Sequence, residues 1–279
     1  MAMDWLLDFV KWASIVSCLL FPLLWMISSA FRYYVKIISL GASVIVCSGL
    51  LALASLPWPG DVTNYRTCKW LFTKASNYLN IKWELRGAEK LTKLTGPCIF
   101  VCNHQSLIDL VGMMQMWPDR CVPMMKEELK YYGPFGIAGV LTGSVFVDRF
   151  NKEKAIETCN KTIEYLKSKN VKLWVFPEGT RGHEDEMLTF KKGAFHLAIQ
   201  GQLPVVPVVF SSYAPFYSKK EKRFASDGFV MMEVLDTIST EGMQIENVTE
   251  LSVSTRSIMM EAWKKISAEA AGRYQAKDY

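Results

Sequence analysis

Histidine is scarce in this 279-residue chain: only His104, His183 and His196 occur, too few and too scattered to suggest a metal centre. Cysteine appears seven times, yet never in a Cys-x-x-Cys pair. The odd count and loose spacing exclude a disulfide framework and a zinc module, which leaves buried, reduced thiols. No Gly-x-Ser-x-Gly elbow is present, and that removes the serine-hydrolase reading. Neither sign of charge dominates: 32 Lys and Arg alternate with 27 Asp and Glu for a net +5. Such a balance carries no nucleic-acid footprint, while its slight basic excess suits anionic lipid and phosphate-bearing ligands. Internal repeats and low-complexity tracts are also lacking.

Charge vanishes altogether from two long stretches, residues 12–31 and 37–60. At ~1.5 Å rise per residue, about 20 apolar residues cover the ~30 Å hydrocarbon layer of a bilayer. A cleaved signal peptide has a single short apolar core, so the second run argues against one. The expectation is a membrane-embedded two-helix hairpin over residues 1–60, kinked at Pro22 and turning through the basic, aromatic residues 32–36. Full spanning and a dip into one leaflet both fit. Residues 61–80 place Tyr65, Leu71, Phe72, Ala75 and Leu79 among Arg66, Lys69 and Lys74. This amphipathic pattern predicts a helix lying along the interface or packed on the domain core.

From residue 81 to 279 the texture alternates between short apolar runs and helical periodicity. Strands are expected at 81–86, 98–102, 121–124, 144–147, 171–176, 205–210 and 229–234. Helices are expected at 107–116, 152–168 with Asn151 as cap, 192–200 and 249–271, the last with Leu251, Ile258, Ala262 and Ile266 on one stripe. This interleaving predicts an α/β fold, a mostly parallel sheet flanked by helices.

Two strand-to-helix turns carry chemistry, as such turns do in α/β folds. The first is Asn103-His104-Gln105-Ser106-Leu107-Ile108-Asp109. An imidazole can take a proton from an alcohol, provided a second group holds its other nitrogen; Asp109 can converge on it through the turn. Ser106 and Asp109 equally suit a helix-capping pair. The second turn is Glu178-Gly179-Thr180-Arg181 after an apolar strand. Gly179 permits close backbone approach, and the Arg181 fork and Thr180 hydroxyl match phosphate oxygens. Glu178 is suited to orienting Arg181 or accepting from a hydroxyl. The alternative is a surface turn with an ion pair.

Taken together, these stretches resemble the 1-acylglycerol-3-phosphate acyltransferase family. Its Asn-His-x-Ser-x-x-Asp block matches residues 103–109, and Gly-x-x-Phe-x-x-Arg matches Gly143, Phe146 and Arg149. Glu-Gly-Thr-Arg matches residues 178–181, and the apolar fourth block matches residues 205–208. The stretches starting at Lys126 and Gly133 look similar too. The resemblance implies acyl transfer from acyl-CoA to the sn-2 hydroxyl of lysophosphatidic acid, with acyl-CoA as co-substrate and no cofactor. His104 would be the base and Asp109 its support. Gly179, Thr180 and Arg181 would receive the acceptor phosphate with Glu178 supporting them, while Arg149 and Lys126 add positive charge and Phe146 joins the substrate-binding residues. It also implies residence in a membrane, that of the endoplasmic reticulum. Rival readings are another lysophospholipid or glycerol 3-phosphate as acceptor, and a non-catalytic membrane-shaping protein. Oligomeric state is not legible.

Overall fold

The computed structural model describes residues 2–148, 152–182 and 186–277. Helix α1 (Ala2–Ile27) and helix α2 (Ser29–Ser55) form the amino-terminal part. The chain corner between them lies at Ser28, whose extended backbone breaks the helix and whose hydroxyl accepts from Phe31 N at 3.1 Å. Arg32 donates to the carbonyls of Trp25 (2.6 Å) and Met26 (3.1 Å). It thereby satisfies the open carbonyl end of α1. Residues 32–36 are therefore not the turn: they are helical, and Lys36 is buried. Its ammonium donates to Leu79 O (3.1 Å), Ala225 O (2.6 Å) and Ser226 O (3.1 Å). The positive charge expected at the turn of the hairpin thus lies inside the protein.

Both helices are long and apolar enough to cross a membrane. From Trp5 to Leu24 the side chains of α1 are exposed. In α2, Tyr33, Lys36, Leu40, Val44, Cys47, Leu51 and Ser55 are buried in one stripe, while Ile38, Ile45, Val46, Leu50 and Leu53 point outward. Steps of three and four residues put the first set on one helical face. Helix α3 (Tyr65–Ala75) sinks Tyr65, Cys68 and Phe72 into the core, against α2 and α5 (Asp109–Met116). Of the two placements expected for residues 61–80, packing on the domain core is the one seen, although Trp70 remains outside.

The remaining elements are β1 (Ile81–Arg86), α4 (Ala88–Thr92), β2 (Ile99–Cys102), β3 (Cys121–Lys126), α6 (Gly133–Leu141), β4 (Val145–Val147), α7 (Lys152–Ser168), β5 (Lys172–Val175), α8 (Gly193–Gly201), β6 (Val205–Phe210), β7 (Tyr217–Ser218), β8 (Arg223–Phe224), β9 (Gly228–Val234) and α9 (Val248–Ala276). Seven strands form one sheet in the order β1-β9-β6-β2-β5-β3-β4. All neighbours pair in parallel except β6 with β9. Strands β2 and β6 are buried throughout, as expected of central strands covered on both faces. Helices α8 and α9 cover one face of the sheet, while α5 packs against β1. In α9 the buried stripe is Leu251, Thr255, Met259, Ile266 and Ala270; Ile258, expected inside, is exposed.

The topology decides where the site sits. Strands β2, β5, β3 and β4 are adjacent and parallel, so the loops after them emerge along one edge. At ~4.8 Å per strand the edge from β2 to β4 spans about 14 Å. His104, Arg181, Lys126 and the chain just beyond Phe146 leave from that edge in this order.

Candidate active site

His104 follows β2 by two residues. Its Nδ1 lies 2.6 Å from Asp109 Oδ2, and the same oxygen accepts from Gln105 N at 2.7 Å and Ser106 N at 3.0 Å. Three donors converge on one carboxylate oxygen. Ser106 Oγ accepts from Ile108 N at 3.0 Å, which shapes the turn into α5. The two contacts expected of Asp109 coexist on one oxygen, which caps the turn and holds the imidazole. An ionised carboxylate on Nδ1 puts the proton there and leaves Nε2 as the basic nitrogen. The imidazole is about one-fifth exposed, whereas Asp109 is fully buried. Phe176 stacks on the His104 ring, centroids 4.1 Å apart at 21°, and covers one ring face.

Asp109 Oδ1 is buried and makes no hydrogen bond, and the buried Tyr213 hydroxyl is likewise unbonded. That phenol faces the carboxylate; burial first, and the Asp109 charge second, hold its pKa well above the usual value. Two amides brace the loop from behind. Asn103 donates to Phe210 O (3.0 Å) and accepts from Phe210 N (2.8 Å), extending the β2–β6 ladder with a side chain. Gln105 donates to Phe210 O (3.2 Å) and Ser211 O (3.0 Å) and accepts from Tyr213 N (3.3 Å).

Glu178 departs from expectation. Its carboxylate is buried and reaches neither Arg181 nor solvent. Oε1 accepts from His104 N at 2.7 Å and Oε2 from Leu188 N at 2.8 Å. Burial pushes its pKa up, against the pull of those two N–H groups. Gly182 N in turn donates to His104 O at 2.7 Å, so the loop after β5 grips the His104 backbone from both sides. Glu178 is a tie between the two motifs, not an open ligand contact.

Gly179 has φ +73°, a conformation that favours glycine, and it lets the chain reverse before Thr180 and Arg181. Both of those side chains are exposed at the edge. Lys126 ends β3 beside Val147 and is exposed as well. Phe146 is half-buried in β4 and lies beneath Lys130 Nζ, 5.1 Å from its ring centre. Arg149, His183 and Asn151 lie outside the described residues.

Sequence reasoning missed Gln105, Phe176, Tyr213 and the Leu188 amide. Phe176 and Gln105 stand inside the motifs, so proximity could have flagged them. Tyr213 and Leu188 reach the site through the fold, and no local pattern marks them.

The arrangement combines a carboxylate-held imidazole with one open nitrogen and, on the neighbouring strand, an exposed guanidinium. That pairing suits deprotonating an alcohol while an attached anion is held. The Acyltransferase family model matches residues 82–211. The chain is 41% identical over 250 residues to 1-acyl-sn-glycerol-3-phosphate acyltransferase alpha of Mus musculus, covering 89% of this chain and 87% of that protein. To 1-acyl-sn-glycerol-3-phosphate acyltransferase beta of Homo sapiens it is 35% identical, covering 92% of each. Among solved structures, the 1-acyl-sn-glycerophosphate acyltransferase of Thermotoga maritima superposes with a TM-score of 0.66 at 22% identity, over 85% of this chain and 97% of that one. At that identity the likeness shows the fold.

Proposed function

Because this chain belongs to the 1-acyl-sn-glycerol-3-phosphate acyltransferase family, we propose that it transfers a fatty acyl group from acyl-CoA to the sn-2 hydroxyl of 1-acyl-sn-glycerol 3-phosphate, giving phosphatidic acid and CoA. The observation that carries the reading is the 2.6 Å contact between His104 Nδ1 and Asp109 Oδ2 at the edge from which Arg181 also emerges. His104 Nε2 takes the hydroxyl proton as the oxygen attacks the thioester carbonyl. The tetrahedral adduct then collapses, its C–S bond breaks, and the imidazolium returns the proton to the departing CoA sulfur. Asp109 stabilises the imidazolium meanwhile. Arg181 and Thr180 hold the acceptor phosphate, the guanidinium by its planar fork. Lys126 and Arg149 add positive charge for phosphate or CoA, and Phe146 contributes apolar surface. No group in this scheme becomes covalently attached to the enzyme.

The exposed apolar helices α1 and α2 support membrane residence, where a lipid acceptor partitions. Endoplasmic reticulum is the compartment we assign, by resemblance to the family. The test is an assay of purified protein with labelled oleoyl-CoA and a panel of acceptors. Lysophosphatidic acid should give product at the highest rate, and His104→Ala should lose at least ~10²-fold. Preferred turnover of another lysophospholipid or of glycerol 3-phosphate would replace the acceptor. An unimpaired His104→Ala variant would remove the base.

A further inference from the structure

Glu178 is fixed by two backbone amides, and one of them belongs to the short segment 186–188, whose Met187 side chain is buried in the core. That amide is Leu188 N, 2.8 Å from Glu178 Oε2. Besides that burial, one side chain of α9, Arg256, grips the main chain of residues 187–188. Arg256 Nε donates to Leu188 O at 3.0 Å, and its Nη2 donates to Met187 O at 2.5 Å and to Glu186 Oε1 at 3.2 Å. The Glu186 carboxylate is 73% exposed, so that ion pair contributes little, and the two carbonyls carry the clamp. Two helical turns further along α9, Trp263 walls a small void together with His104, Glu178 and Met187. The same helix thus abuts the site at two points. Helix α9 lies wholly beyond residues 82–211, the stretch the family model matches.

We propose that Arg256 is a positioning residue for the transfer reaction: it fixes residues 186–188, they fix the Glu178 carboxylate, and Glu178 fixes the backbone of His104. The relay joins residues far apart in sequence: Arg256 is 68 residues from Leu188, and Glu178 is 74 from His104. The bonds of Arg256 go to residues 186–188 and not to the imidazole. A guanidinium is required because its fork can serve two carbonyls of successive residues at once, which an ammonium on a flexible stem does with less order. Burial already disfavours the ionised Glu178, and each amide it accepts offsets part of that cost. Releasing Leu188 leaves the carboxylate with one donor and the His104 main chain with a looser partner.

This inference rests on the acyl-transfer reading for its kinetic arm alone. A displacement of ~1 Å at a reacting group can cost ~10²-fold, and a partly loosened loop should cost less. Arg256→Ala should lower kcat about 10-fold with little change in the KM for either substrate, and Arg256→Lys should recover part of the loss. Glu186→Ala should stay within about 2-fold of wild type. In a Glu178→Gln background, adding Arg256→Ala should cost less than about 3-fold, since both act through one tie. Hydrogen exchange of the full-length protein in detergent provides the arm that needs no turnover: the amides of Leu188 and His104 should exchange faster in Arg256→Ala. Unchanged exchange at both amides, or fully additive losses in the double variant, would overturn the clamp. A wild type inert toward lysophosphatidic acid but with the exchange effect intact would overturn the substrate assignment and leave the clamp standing.

Discussion

Replacing Asp109 by asparagine separates its two duties. Three donors converge on Oδ2: His104 Nδ1 at 2.6 Å, Gln105 N at 2.7 Å and Ser106 N at 3.0 Å. An amide nitrogen there would face three donors, so the asparagine must present its oxygen and turn its NH2 toward the place of Oδ1. The Tyr213 hydroxyl on that side can accept. The turn, the ring orientation and the Nδ1–H tautomer therefore survive, and only the negative charge is lost. Opposite charges at ~4 Å with an effective dielectric of about 20 attract by ~4 kcal/mol. The amide dipole retains part of this, which leaves roughly 2–3 kcal/mol missing in the transition state, or ~10²-fold in kcat at 1.36 kcal/mol per decade. Asp109→Ala behaves differently, since it orphans two buried N–H groups at about 1–3 kcal/mol each and should unfold at a visibly lower temperature. Initial rates with labelled oleoyl-CoA, measured beside thermal unfolding in detergent, distinguish the variants. Asp109→Asn retaining a third or more of wild-type kcat would show the carboxylate to be a cap alone. A loss beyond ~10⁴-fold would mean that the tautomer had inverted, contrary to the three-donor argument.

Two further outcomes follow from buried charges. Burial raises the folded-state pKa of Glu178 above its ordinary 4.5. Its contribution to stability is therefore complete below that value and is lost as pH climbs through the raised one. The melting temperature of wild type minus that of Glu178→Gln should fall over this window, and a difference that grows with pH would contradict the burial assignment. Lys36→Met leaves the carbonyls of Leu79, Ala225 and Ser226 without their common donor. The expected cost is ~1–3 kcal/mol, at roughly 2–4 °C per kcal/mol for a chain of this class. A variant melting at or above wild type would show that the ammonium holds nothing.

The buried strands were the most readable part of the sequence, because short, almost uncharged apolar runs stand out between polar turns. The reading of 205–210 and the 152–168 helix matches β6 and α7 residue for residue. Helix α6 was invisible, since Gly-Pro-Phe-Gly-Ile-Ala-Gly has poor helical propensity. It forms because Gly136 admits a close approach: a Cβ there would stand 2.0 Å from Lys130 O. The two-residue strands β7 and β8 are too short to carry any period, so neither was expected. Charge between two apolar runs placed Lys36 in the hairpin turn, yet its partners are carbonyls 43 and 189 residues away. The site followed the same rule. Local spacing revealed the His104–Asp109 pair, five residues apart, while the Glu178 tie depends on β2 and β5 becoming neighbours.

The two-sided character of α2 has a practical corollary for anyone wishing to work without detergent. Trimming the chain at residue 60 would strip away a wall of the enzyme along with its greasy exterior, baring the surfaces that Leu40, Val44, Cys47 and Leu51 now cover. A water-soluble version is better sought by keeping that helix and repainting its outward positions, such as Ile38, Ile45 and Leu53, with polar residues.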